Sequence, residues 1–179
     1  MDAVSERPRT APTDTAESVT ALAALASQIA HASLSVLIGV PGDDVHVVAN
    51  KLAETILASV GYAVTNLGVL VPAAELVAAA RDLRPSAILL SSLNGHALLN
   101  CGSVPRLLAE AGEEVPVYVG GNLCVGRTDW PLVLRRFAGL GFARVFPPRT
   151  DLLAGVAEIS RELLQPRVVH AIRRSGAPA

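Results

Sequence analysis

From residue 35 onward the chain alternates between short runs that are apolar at nearly every position and longer stretches in which apolar residues recur at helical spacing. The short runs fall at residues 36–40, 63–67, 87–90, 115–119 and 144–146, each flanked by Gly, Pro or Ser. Unbroken apolarity, without the in–out alternation of a half-exposed strand, predicts strands covered on both faces. The stretches between them predict helices over about 46–59, 73–83, 102–111, 130–139 and 151–164. Gly61-Tyr62, Gly112-Glu113 and Gly141-Phe142 look like helix C-caps leading into strands. Pro131 and Thr150-Asp151 suit helix starts.

Strict β–α alternation with five strands predicts an α/β fold, a doubly wound parallel sheet. Some 130 residues for five units is the flavodoxin-like (Rossmann-like) size, with strand order 2-1-3-4-5. Ligands in such sheets sit beyond the carboxyl ends of the strands, near the switch between strands 1 and 3. Ahead of this unit, residues 1–17 are rich in Ser, Thr, Pro and Ala without periodicity and are expected to be disordered. An extra N-terminal helix and linker are expected over 18–34, the folded domain over 35–165, and a basic tail over 166–179. Residues 19–40 are apolar enough to raise a membrane span. Ser27, Gln28, His31, Ser33 and Ser35 interrupt it, and the basic flank of a signal peptide is missing.

Composition narrows the function. A net charge of −1 gives no electrostatic case for nucleic acid or a membrane surface, and 3% aromatics gives none for base stacking. Cys101 and Cys124 have no CxxC or zinc spacing, so the expected compartment is reducing and cytoplasmic. Lys51 is the one lysine against fourteen arginines. A compact ammonium differs from a guanidinium fork, which gives Lys51 a reason to be special; codon bias explains the arginine excess equally well.

The unusual residues cluster at the predicted carboxyl edge. Asp44-Val45-His46 follows the first apolar run, Ser91-Ser92-Leu93 the third and Gly120-Gly121-Asn122 the fourth. An Asp two residues before a His can hold one ring nitrogen and leave the other for a metal. His31, His96 and His170 have no such acidic neighbour. Zinc wants three or four protein ligands, and one His with one Asp cannot supply them. A metal bound through one protein ligand brings its own coordination sphere, as in haem or a corrin. Asp43-Asp44 also reads as the acidic pair of a phosphoryl-accepting receiver. Such a domain needs an Asp after strand 3 and a Lys after strand 4, where this chain has Ser91-Ser92 and Gly120-Gly121. Neither GxxxxGK[ST] nor GxGxxG is present. Gly120-Gly121 is either a tight turn or a place where a flat ligand passes too close for a Cβ. Ser91 and Ser92 either satisfy strand ends or offer a hydroxyl to a heterocycle. Cys124 has nothing nearby to activate it and reads as a packing residue.

Together and in this order, these residues resemble the cobalamin-binding domain family, whose signature is D-x-H-x-x-G, then S-x-L, then G-G. Gly42-Asp43-Asp44-Val45-His46-Val47-Val48-Ala49-Asn50-Lys51 carries the first element, and Ser91-Ser92-Leu93-Asn94-Gly95 the second. Gly120-Gly121-Asn122-Leu123-Cys124-Val125-Gly126 carries the third. The likeness is greatest to the small subunits of glutamate mutase (methylaspartate mutase). Asn66-Leu67-Gly68-Val69-Leu70, Trp130-Pro131 and residues 141–148 add to it, over about residues 35–164.

The resemblance implies that His46 binds cobalt in place of the cofactor's own base (base-off/His-on adenosylcobalamin). Asp44 would hold the other ring nitrogen, with Lys51 a further partner of Asp44. It also implies a cofactor site of Asp43, Asp44, Val45, His46, Val47, Ala49, Lys51, Ser91, Ser92, Leu93 and Gly95, with Gly120, Gly121, Asn122, Leu123, Cys124, Val125 and Gly126. The nucleotide tail would lie between strands 1 and 3, near Ser91 and Leu93, with Gly120, Gly121 and the following loop alongside it. A separate large barrel subunit would hold glutamate and, in a heterotetramer, convert it to 3-methylaspartate by radical chemistry. Two positions depart from the family: the Gly of the first motif is Ala49, and the Gly after the two prolines is Arg149. The rival readings are a corrinoid methyl carrier or a cofactor-dependent regulator. A carrier would need a helical bundle in front and a regulator a DNA-binding domain. A third is an interaction protein that has lost cofactor affinity, for which Ala49 is the support.

Overall fold

A computed structural model describes residues 15–126 and 129–165, with residues 15–22 given by backbone alone. The expected basic tail, including His170, and most of the expected disordered start lie outside the described residues. The elements run α1 (Thr15–His31), β1 (Ser35–Pro41), α2 (Val47–Ser59), β2 (Ala63–Val71), α3 (Ala73–Leu83) and β3 (Ala87–Ser92). They continue with α4 (Ala97–Cys101), α5 (Val104–Glu110), β4 (Val117–Gly121), α6 (Trp130–Gly139), β5 (Arg144–Phe146) and α7 (Leu152–Leu164). The five strands pair in parallel in the order β2-β1-β3-β4-β5, as the alternation predicts.

Burial explains the apolar runs. Val36, Leu37, Ile38 and Val40 of β1 are all buried because successive side chains enter two different cores. Leu37 joins Leu76, Ile88, Val119 and Phe137 in one, beneath α3, α5 and α6. Val36 and Ile38 join Leu57, Tyr118, Val156 and Ile159 in the other, beneath α2 and α7. Ile29 of α1 is fully buried in this second core, so the apolar stretch 19–40 resolves into a covering helix and a central strand. Among the described residues no helix is long and apolar enough to cross a membrane.

The glycine caps take the left-handed backbone that L side chains resist: Gly61 has φ +96, Gly112 φ +78 and Gly141 φ +94. The Asp151 carboxylate caps α7 by accepting from Ala154 N at 2.9 Å. Edge strand β2 is longer than its apolar run. Its register against β1 slips twice, between Ile38 and Val40 and between Val40 and Pro41, where Gly68 and Leu70 turn to positive φ. These bulges bring Leu70 N within 3.3 Å of Asp44 O, joining the end of β2 to the loop after β1.

Candidate functional site

The loop after β1 is built around one carboxylate. Asp44 has 0% exposure, and its two oxygens divide the work. Oδ1 accepts from His46 N at 3.1 Å and meets His46 Nδ1 at 2.6 Å. Oδ2 accepts from Leu93 N at 2.6 Å and Asn94 N at 3.2 Å. One side chain therefore clamps the imidazole to the loop after β3, across the switch point between the two strands. Burial pushes the Asp44 carboxyl up, but the N–H of Leu93, the His46 imidazole and the N–H groups of His46 and Asn94 together outweigh it. The net displacement is downward. An ionised carboxylate can only accept, so Nδ1 carries the proton and the Nε2 lone pair of His46 is left for another partner. The His46 side chain is 48% exposed, at the foot of α2. Val45, Val47, Val48, Leu70 and Val125 are exposed apolar residues of the same edge. Among the described residues no three of His, Cys, Asp or Glu converge as a metal-binding set.

A second polar cluster props the same loop from outside. Asp43 Oδ1 accepts from Asn100 Nδ2 at 2.7 Å and Asn94 Nδ2 at 2.9 Å, and these bonds lower the Asp43 carboxyl. Gly42, at φ +72, lies against Asn100, whose side chain a Cβ would strike at 2.4 Å. The loops after β3 and β4 are knitted together as well. Gly95 N donates to Asn122 O at 3.0 Å, and His96 forms an antiparallel bridge with Cys124. Gly95 is buried under Val125, and Gly126 turns at φ +79.

A cleft of about 260 Å³ opens between α2 and α7, over the ends of β1, β3 and β4. Ile38, Ala49, Asn50, Leu57, Leu89 and Leu93 line one side; Gly120, Gly121, Phe146, Pro147, Arg149 and Leu152 line the other. Ser91 stands on the same sheet face as Leu89, and its hydroxyl is buried with no hydrogen-bond partner. An orphaned buried hydroxyl costs about 1–3 kcal/mol unless something supplies a partner. Ser91 is not among the residues that line the cleft, whose apolar walls by themselves fit a largely flat ligand.

Several expectations need revising. Lys51 does not reach Asp44: its 64% exposed ammonium donates to Glu54 Oε2 at 2.8 Å on the outer face of α2, while Asp44 is enclosed. Leu123 is 1% exposed and belongs to the core beneath α3, α5 and α6, facing away from the cleft. Gly120 and Gly121 do border the cleft, yet what a Cβ would meet is protein. At Gly120 it is Phe146 Cβ at 3.2 Å, and at Gly121 the Ser92 carbonyl oxygen at 2.2 Å. Gly121 turns the chain at φ +120, and both glycines line the cleft. Ser92 is enclosed and donates weakly to Asn94 Oδ1 at 3.4 Å.

Asn50 was legible only as a neighbour of the first motif. At 2% exposure it donates to Asn66 Oδ1 at 2.7 Å, and Asn66 in turn donates to Glu54 Oε2 at 2.7 Å. This network ties α2 to β2. The signal was available: Asn50 is polar at a position one heptad from buried Leu57. Cys101 is buried with its thiol pushed up to about 12, and both cysteines are unpaired.

Comparison with known proteins agrees with this geometry. The family model described as "B12 binding domain" matches residues 34–157. The glutamate mutase sigma subunit of Carboxydothermus hydrogenoformans is 45% identical over 118 residues, covering 65% of this chain and 86% of that one. That of Clostridium cochlearium is 38% identical over 130 residues, covering 72% and 95%. Among solved structures, a cobalamin-binding protein from Desulfitobacterium hafniense superposes with a TM-score of 0.59 at 21% identity, over 72% of this chain and 58% of that one. The methanol:cobalamin methyltransferase complex from Methanosarcina barkeri gives 0.60 at 22% identity, over 81% and 52%. A response-regulator receiver domain from Mycobacterium tuberculosis gives 0.53 at 15% identity, which shows that the bare fold is shared well beyond cobalamin.

Proposed function

This chain belongs to the B12 binding domain family, in company with the glutamate mutase sigma subunits, and we propose that it is the adenosylcobalamin-carrying small subunit of a glutamate mutase. It works in the cytoplasm with a large barrel subunit, in a heterotetramer. The large subunit holds glutamate, which rearranges to 3-methylaspartate. When bound, the cofactor supplies a weak cobalt–carbon bond and hence radical chemistry.

The chain's own residues have three tasks. His46 would offer Nε2 as the protein's ligand to the cobalt. Asp44 keeps the proton on Nδ1, orients the ring and raises its basicity as a ligand. The cleft beside Ala49, Leu93 and Gly120 would hold the cofactor's nucleotide tail. No residue here is assigned to substrate, which belongs to the large subunit. The observation that carries the reading is the imidazole clamped by the enclosed Asp44 at the switch point, with a largely apolar cleft bordered by Ala49 and Leu93 on the same sheet edge.

The test is a titration of the purified chain with adenosylcobalamin, followed in the visible spectrum. The wild type is expected to shift the cofactor to a base-off, histidine-ligated form, and His46→Ala to lose that signature. A wild-type spectrum with the cofactor's own base still on cobalt would overturn the proposal. Adding a large subunit and glutamate then separates a mutase from a carrier.

A further inference from the structure

Four described residues other than glycine hold a positive φ: Ser33, Leu70, Arg84 and Arg149. Ser33 lies in the turn after α1, and Arg84 is the left-handed C-cap of α3, both common uses of that backbone. Leu70 belongs to the β2 bulge. Arg149 stands apart, at φ +67 in the loop between β5 and α7. A Cβ makes this backbone unfavourable, and glycine would avoid the cost. Strain kept at a site is a reason to ask what the side chain does there.

Arg149 lines the cleft, and only it and Asp151 carry formal charge among the described residues that do so. It makes no ion pair or hydrogen bond with any described residue. Its acidic neighbour, Asp151, is committed to Ala154 N as the cap of α7. The remaining walls are largely apolar, from Ile38 and Leu57 to Tyr118 and Val156. An exposed arginine bonded to no carboxylate, on a residue bordering a largely apolar cleft, suits a ligand that is mostly flat or apolar but carries one anionic group. Arg is also the side chain best shaped to grip phosphate oxygens in pairs.

We infer that Arg149 binds the phosphodiester of the cofactor's nucleotide arm and makes this chain selective for corrinoids that carry that arm. This rests on the cobalamin reading above. It assigns to Arg149 a role that a glycine there could not perform.

The experiment measures dissociation constants by equilibrium dialysis of the full chain, at low and high salt. The ligands are adenosylcobalamin and adenosylcobinamide, the same corrinoid without the nucleotide arm. The proteins are wild type, Arg149→Gln, Arg149→Lys and Arg149→Gly, with folding checked by circular dichroism. Arg149→Gln is expected to weaken adenosylcobalamin binding about tenfold at low salt, with a flatter salt dependence and no change for adenosylcobinamide. Arg149→Lys should retain part of the affinity. Equal adenosylcobalamin affinity in wild type and Arg149→Gln, or tighter binding in Arg149→Gly with an unchanged salt slope, would overturn the inference. So would unchanged corrinoid binding in Arg149→Gln with weakened assembly onto the large subunit, which would assign the charge to the partner. Failure of the wild type to bind either corrinoid would instead bring down the cobalamin reading, and this inference with it.

Discussion

Asp44 joins three backbone N–H groups and one imidazole, drawn from two loops, in a place that water does not reach. Asp44→Ala strands those donors at once. Each stranded donor costs about 1–3 kcal/mol, less where water enters the space, so the loss should be about 3 kcal/mol in urea unfolding. Asp44→Asn keeps one acceptor and should fall between. The pH dependence has a definite sign. The folded carboxyl titrates below its ordinary 3.8, so its contribution is complete above that value and is lost as pH falls through the lower, folded value. Wild-type stability should therefore drop more steeply below pH 4 than that of Asp44→Asn. Parallel acid limbs in the two proteins would show that the carboxylate is not held in this way. Asp43 and Glu54 are lowered too, and subtracting the two curves removes their part. The pairing of Asp44 with His46 was legible from spacing alone. The bond to Leu93, 49 positions away, was not, because it depends on β1 and β3 lying side by side.

Among the elements, the strands and long helices were legible because each satisfies one simple period, and the departures have local causes. β4 starts at Val117, whereas its apolar run starts at residue 115, since Pro116 has no N–H to give the ladder. α4 escaped notice because five residues are too few to display a helical period, and its start at His96 has no capping side chain. The turn closing β4 lines the cleft and is also packed against Ser92. Gly121→Ala would force a Cβ into φ +120 and onto the Ser92 carbonyl. A loss of about 3 kcal/mol is expected, visible as a lowered denaturation midpoint without any cofactor present. Ala49 acts the other way. It sits in the first turn of α2, where alanine favours the helix over glycine by roughly 1 kcal/mol. Ala49→Gly should speed amide exchange about fivefold at Lys51, Leu52 and Ala53, the first amides bonded back to that turn. Equal protection in the two proteins would show that the first turn is ordered by tertiary packing instead.

At the scale of the whole molecule, the unusual residues had to gather at one sheet edge once the strand order was 2-1-3-4-5, and topology carried most of the reading of the site. What topology could not supply was the occupancy of each side chain, as with Lys51 and Leu123, nor the cleft between α2 and α7. It was equally silent on α1. The family match begins at residue 34, so α1 lies ahead of the matched unit. In the structure Ile29 nonetheless has no exposed surface and packs with Val60, Tyr62 and Ile159, while Gly61 lies against Ala26 and Ala30. A helix that only docks on a partner would keep its apolar face open, and Ile29 fills the domain's own core instead. Ile29→Ala in the full chain should lower stability by about 3 kcal/mol through the cavity it leaves. An unchanged urea midpoint would mean that α1 is an appendage, leaving residues 35–165 stable without it.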